Sequence, residues 1–127
     1  MDQNFPGVFT ATKKDGTVYY RASITYKKKH ISLGSYTTAL IAYGAYLEGT
    51  SLLTDTSIGL EAYSAHRILP FDKWVCLINY RENLLYFSTP IYIRKNYFEY
   101  YLSPESVLKF DIDDLFYYSS HKILKRQ

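Results

Sequence analysis

The sequence predicts an α+β fold in which an N-terminal three-stranded antiparallel sheet packs on one helix. This unit is expected to dock to a mixed helix/strand C-terminal half. Residues 18–26 (VYYRASITY) alternate in polarity and are rich in β-forming side chains, which indicates a strand. Asp15-Gly16 just before them is typical of a hairpin turn. Residues 37–49 have helical spacing, with a threonine able to cap the start and Gly49 able to end the helix. A chain of 127 residues that is 47% apolar can bury one core or two small ones.

The remaining elements of the first half follow from turn residues and alternation. Lysines at 27–29 form the second turn, Gly34 permits a tight exit from the third strand, and Thr37 or Thr38 caps the helix. The three strands are predicted at residues 8–12, 18–26 and 30–35. On the helix, Ala42, Ala45 and Tyr46 are expected to face the sheet.

Three segments make up the predicted domain organisation: a sheet-plus-helix unit over residues 1–49, a Ser/Thr-rich connection over 50–57, and a tyrosine-rich α+β segment over 58–127. The predicted helix also carries Leu40, Ile41, Tyr43 and Leu47 on its other sides. A helix that is apolar all round is buried on more than one side, so we expect the C-terminal segment to cover it.

The C-terminal segment has weaker signals. We predict a helix over 72–85 with Asp72 as its cap, strands over 91–93 and 97–102, and a last helix over 111–121 capped by Asp111. Residues 97–102 (YFEYYL) are a candidate edge strand for pairing with a partner.

The net charge of +3 is small, which excludes a heavily basic nucleic-acid coat and an acidic tail. The whole excess arises in residues 1–49, because basic and acidic side chains balance in residues 50–127. This asymmetry indicates a basic contact face in the N-terminal unit.

No residue pattern supports catalysis, a metal site or a cofactor. The three histidines are far apart in sequence, and the acids at 111–114 lack partner ligands at metal-binding spacing. Cys76 lies among apolar residues and is expected to be an inert buried thiol. A single cysteine fits a reducing compartment, and neither a secretory signal nor a membrane-spanning run is evident, so we predict a cytoplasmic protein without enzymatic activity.

Strand alternation assigns one face of the predicted sheet to solvent. That face is polar and lightly basic, with lysine-bearing turns at its rims, a pattern suited to a nucleic-acid groove. The candidate DNA-binding residues are Phe9, Lys13, Lys14, Arg21, Ser23, Thr25, Lys27, Lys28, Lys29, His30 and Ser32.

Residues 7–49 resemble the APETALA-two/ethylene-response-factor-type DNA-binding domain and its bacterial and phage relatives, which occur beside integrases and HNH-type homing endonucleases. The resemblance rests on Gly7-Val8, the Gly16 turn, Ala22-x-Ile24, Leu33-Gly34-Ser35-Tyr36, Thr38-Ala39 and Ala42-x-x-Ala45-Tyr46. It implies a three-stranded sheet in the DNA major groove. The family's contact positions fall on Phe9, Ala11, Arg21, Ser23, Thr25, His30 and Ser32.

The resemblance further implies a regulatory or targeting module of a bacterial or phage mobile-element protein, with double-stranded DNA as its partner. Plant members carry arginines and tryptophans where this chain has Phe9, Ala11, Thr25 and Ser32. Two alternatives stay open at this point. One is a protein-interaction or homo-oligomerisation module that uses tyrosine-rich edge strands, and the other is the non-catalytic N-terminal part of an HNH-type nuclease.

Overall fold

The computed structural model of the chain describes residues 5–64, 67–115 and 117. These residues divide into two compact units. The first comprises residues 5–55 with 67–69, and the second comprises residues 56–64, 70–115 and 117. The predicted α+β class is confirmed, with an antiparallel three-stranded sheet in each half of the chain and two helices between them in sequence.

The first unit is a β-meander followed by a helix. Strands β1 (Val8–Thr12), β2 (Val18–Tyr26) and β3 (Lys29–Tyr36) pair in the order β1-β2-β3, so β2 lies in the centre. Helix α1 (Ala39–Thr54) packs on this sheet. Its start is fixed as predicted, because the Thr38 side chain accepts a hydrogen bond from the Ile41 N–H at 3.1 Å.

The core of this unit forms where small helix residues meet β-branched and leucine side chains of the sheet. Ala42 and Ala45 of α1 are fully buried, which allows the helix to approach the strands closely. The buried apolar side chains of the sheet are Ala22, Ile24, Ile31 and Leu33.

A bulge interrupts the simple alternation on which the predicted faces depended. Ala22 pairs with Gly34, whereas Ser23 pairs with Ser32, so Leu33 is an extra residue in β3. Gly34 lies inside β3 at this bulge, which corrects its predicted place at the strand exit. Its φ of +114° is one that glycine adopts readily. The Ser23 N–H is satisfied by the Gly7 carbonyl at 2.9 Å.

The predicted end of α1 is wrong. The helix does not end at Gly49, which is buried, but continues to Thr54 and so takes up much of the predicted connection over 50–57. Its last turns bury Leu52 and Leu53, and this burial outweighs the weak helix propensity of one glycine. The expectation that the C-terminal segment covers the other sides of α1 stays a prediction.

Residues 67–69 also belong to the first unit, although in sequence they follow residues 56–64 of the second unit. The Glu48 carboxylate of α1 accepts backbone N–H groups from Ile68 and Leu69 at 2.9–3.0 Å. These charge-assisted bonds attach residues 67–69 to the helix.

The second unit combines helix α2 (Phe71–Asn83) with a sheet of strands β4 (Ile91–Ile93), β5 (Tyr97–Ser103) and β6 (Ser106–Asp111) in the order β4-β5-β6. Buried Ile91, Phe98 and Tyr100 form the centre of its sheet core. Partly buried apolar residues surround them: Phe87, Ile93, Leu102, Leu108, Phe110, Ile112 and Leu115.

Buried Asn79 of α2 ties this helix to the chain that follows it. Its amide donates to the Leu85 carbonyl at 2.9 Å, and its oxygen accepts from the Ile93 N–H at 2.8 Å and from the Asn83 amide at 2.7 Å. Because each polar atom of the side chain is paired, its burial is tolerated.

Several expectations for the second half need correction. Residues 97–102 lie in the central strand, paired on both sides, so they are not the edge strand that we predicted for partner binding. Strand β6 was not predicted. Helix α2 has Pro70 at its N-cap position, without the side-chain bond expected from Asp72. Asp111 does cap a short 3₁₀ turn (Ile112–Asp114), while most of the predicted helix over 111–121 lies outside the described residues.

Candidate nucleic-acid interface

The sheet face opposite α1 carries the predicted contact residues in three cross-strand pairs. Phe9 of β1 pairs with Arg21 of β2, and farther along β2 Ser23 pairs with Ser32 and Thr25 with His30. Antiparallel pairing therefore places these side chains in a continuous patch, although they come from three strands.

Five of these residues surround one shallow depression of about 320 Å³. Its lining consists of Phe9, Arg21, Ser23, His30 and Ser32, together with Thr10 and Ala22. The lining side chains include an aromatic ring, a guanidinium, an imidazole and two hydroxyls. Such a set offers apolar contact and hydrogen bonding side by side, which is what the edges of DNA bases require.

The bulge changes how far one predicted contact residue can reach. Ser23 lines the depression but is only 8% exposed, so it forms part of the floor. Arg21, Thr25, His30 and Ser32 are exposed around it. The Thr25 hydroxyl lies 3.4 Å from Nδ1 of His30, so a weak hydrogen bond links these two rim residues.

The turn between β1 and β2 presents Lys13 and Lys14 at one end of the sheet. The Lys13 N–H donates to the Thr17 carbonyl at 2.8 Å, and the Asp15 carboxylate accepts the Thr17 N–H at 2.9 Å. The latter bond lowers the pKa of Asp15. An acid that stays ionised offsets part of the charge of the two lysines at this end.

The turn between β2 and β3 presents Lys27, Lys28 and Lys29 at the opposite end. The first two lysines occupy a two-residue loop with φ values of +50° and +69°, the left-handed pair that a type I′ turn requires. Strand β2 has nine residues, so the two turns lie about 26 Å apart at a strand rise of about 3.3 Å per residue. Positive charge therefore flanks the polar face at both ends.

The charge of this surface is largely uncompensated. Neither Asp nor Glu occurs between Asp15 and Glu48. Within the described part of the chain, Lys14, Arg21 and Lys28 form no ion pair. These cations are thus available for phosphate groups.

Tyr19 and Tyr26 have no predicted role at this surface. The ammonium of Lys13 lies 6.0 Å from the centre of the Tyr19 ring, and that of Lys27 lies 5.7 Å from the Tyr26 ring. These cation–π contacts place one lysine of each turn beside a ring. A tyrosine next to each lysine turn was visible in the sequence and was the signal available for these contacts.

Cys76, the one cysteine of the sequence, is buried. Burial raises the pKa of the Cys76 thiol to about 12 from its ordinary value of 9.0, and the thiol donates to the Thr89 carbonyl at 3.2 Å. The thiol is therefore protonated and weakly nucleophilic at neutral pH. Among residues 5–64, 67–115 and 117, no cluster of three His, Cys, Asp or Glu side chains could hold a metal ion. None of the helices in those ranges could cross a membrane.

Comparison of the chain with protein-family models, with curated proteins and with solved structures gives no significant match.

Proposed function

We propose that the first unit binds double-stranded DNA through the sheet face opposite α1. The observation that carries this proposal is the convergence of Phe9, Arg21, Ser23, His30 and Ser32 around one depression, between two turns that bear lysines. Some DNA-binding proteins place β-strands in the major groove, so a sheet face can serve as the contact surface.

The two parts of the surface would have different tasks in the complex. Lysines on the turns reach backbone phosphate, which supplies affinity and orientation on any sequence. Arg21 projects from the middle of β2. Its guanidinium would donate two hydrogen bonds to guanine, one to O6 and one to N7. Affinity would therefore come mainly from the ends of the sheet and sequence preference mainly from its centre.

We further propose that the chain is a non-enzymatic regulatory or targeting module, as in the mobile-element proteins of bacteria and phages that the sequence resembles. Burial raises the pKa of the Cys76 thiol, which argues against a nucleophilic role for this one residue. The edge-strand alternative loses its main argument, because β5 is a central strand.

An Arg21→Lys variant of the full chain tests base recognition. Lysine keeps the charge but lacks the planar fork, so binding to a duplex selected from a random pool should weaken by about 1–3 kcal/mol. Binding to an unselected duplex should change little. Fluorescence polarisation with both duplexes measures the difference.

Arg67→Lys is the matched control, since Arg67 is exposed in the segment that Glu48 attaches to α1, away from the polar face. If Arg21→Lys binds the selected duplex as tightly as the parent does, Arg21 does not recognise a base.

A further inference from the structure

A hollow in the second unit has the chemistry of a cation site. Its volume is about 360 Å³, within the range of small-molecule pockets. The lining residues are Leu60, Glu61, Tyr63, Phe71, Tyr101 and Pro104. It involves none of the residues proposed to contact DNA.

Three aromatic rings form its walls. The Tyr63 and Phe71 rings lie 5.1 Å apart with planes inclined by 64°, and the Phe71 and Tyr101 rings lie 5.7 Å apart with planes inclined by 73°. Because successive planes are steeply inclined, the rings make corners and do not stack. Phe71 and Tyr101 are each 9% exposed, so the surrounding protein fixes both rings and leaves only a small part of each facing the hollow.

Hydrogen bonds fix the chain beside the hollow and one of its walls. The Trp74 indole N–H donates to the Gly59 carbonyl at 3.2 Å, and the Arg81 guanidinium donates to the Ile58 carbonyl at 2.8 Å. The Tyr101 hydroxyl donates to Glu99 at 3.0 Å. Desolvation and this bond raise the pKa of Tyr101, so its ring stays neutral at physiological pH.

Among the described residues that line the hollow, Glu61 is the one with a charged side chain. Its carboxylate makes no hydrogen bond or ion pair with another described residue. The guanidinium groups of the neighbouring hollow, which Glu61 also borders, each have another carboxylate: Arg81 pairs with Glu82 at 2.8 Å and Arg94 with Glu99 at 2.9 Å. The Glu61 carboxylate beside the aromatic walls is therefore available to bind a cationic ligand.

We propose that this hollow binds an alkylammonium group. The negative faces of aromatic rings attract quaternary ammonium ions, and a nearby carboxylate adds electrostatic attraction. A neutral ligand would have neither of these two interactions. The shared chemistry fits a free small cation such as choline or the methylated lysine side chain of a protein. This inference is independent of the proposed DNA binding.

NMR titration of the full chain tests the site, with the backbone amide and aromatic signals of the lining residues as the readout. Choline should shift these signals in a saturable manner. Its neutral isostere 3,3-dimethylbutan-1-ol should bind about 3- to 30-fold more weakly, since it has the same shape without the charge. A trimethyllysine peptide and its unmodified counterpart complete the series. Tighter binding of the modified peptide than of choline assigns the site to a protein ligand, and the reverse order assigns it to a free cation.

Two variants localise the effect. Glu61→Gln removes the charge at an exposed position and Tyr63→Leu removes one wall, and each should weaken choline binding about 3- to 30-fold. Asp113→Asn, an exposed carboxylate in the same unit outside the hollow, is the matched control and should bind as the parent does. The proposal is overturned if choline shifts no lining signal, if the neutral isostere binds equally well, or if Glu61→Gln leaves the affinity unchanged.

Discussion

Phe9 is an exposed aromatic residue on an otherwise polar sheet face. Its side chain is 57% exposed, and it is paired across the strands with Arg21, the residue proposed to contact guanine. In the major groove, thymine presents a methyl group that an exposed apolar side chain such as Phe9 can contact. We therefore assign Phe9 to thymine recognition within the proposed interface.

Removal of that methyl group tests the assignment. Uracil in place of thymine in the selected duplex should weaken parent binding about fourfold, the value of one buried methyl group. Phe9→Ala should bind the thymine and uracil duplexes equally, and as an exposed substitution it should leave stability nearly unchanged. Fluorescence polarisation titrations of the parent and of Phe9→Ala with the thymine and uracil duplexes measure these affinities. Equal affinity of the parent for the two duplexes would exclude a thymine contact by Phe9.

Single residues also mark where sequence analysis reached its limit. Phe9, Arg21 and His30 were placed on the exposed face by alternation, and the observed register agrees. The burial of Ser23 could not be predicted, because it follows from a bulge in which Leu33 is the extra residue. A bulge depends on pairing with a neighbouring strand and with Gly7, and neither contact is encoded in the local pattern of β2.

Among the elements, the hairpin between β2 and β3 departs most from ordinary sequence preference. Its two-residue loop needs positive φ at both positions, where asparagine and glycine are favoured and lysine is strained. Two lysines at this loop keep positive charge at the end of the sheet at the expense of local stability. This conflict between propensity and structure supports a functional role for the charge.

The variant Lys27→Asn/Lys28→Gly should therefore be more stable than the parent by about 1 kcal/mol, because it relieves the strain of two left-handed lysines. Lys27→Ala/Lys28→Ala removes the same charges without relieving the strain and is the matched control. Thermal unfolding followed by circular dichroism compares the three proteins. Equal melting temperatures for the two variants would contradict the argument from strain.

Helices and strands whose apolar residues recur with a clear period could be predicted from the sequence. Those defined by pairing with another strand could not. The three strands of the first sheet and both helices follow from alternation, spacing and turn residues. Strand β6 was missed because residues 106–111 lie between a turn and a run of acids, and their pairing with β5 is what defines them. The same pairing converts 97–102 from a predicted edge strand into a central one.

At the scale of the whole molecule, the two halves of the sequence differ in net charge. Residues 1–49 carry the entire net charge of +3, whereas residues 50–127 are balanced. In the first unit, basic residues lie at both ends of one polar face. In the second, Glu61 borders an aromatic hollow. Under the two proposals, the units would bind ligands of opposite charge, and affinity for DNA should reside in the first.

The salt dependence of DNA binding tests this central claim most directly. For the full chain and an unselected duplex, the logarithm of the association constant should fall linearly with the logarithm of salt concentration. Lys27→Asn/Lys28→Gly should make the slope shallower by about 0.9 for each phosphate group that the variant no longer neutralises. Lys95→Ala, which removes an exposed lysine of the second unit, should leave the slope unchanged. A parent slope near zero, or an unchanged slope in the turn variant, would contradict DNA binding by this sheet.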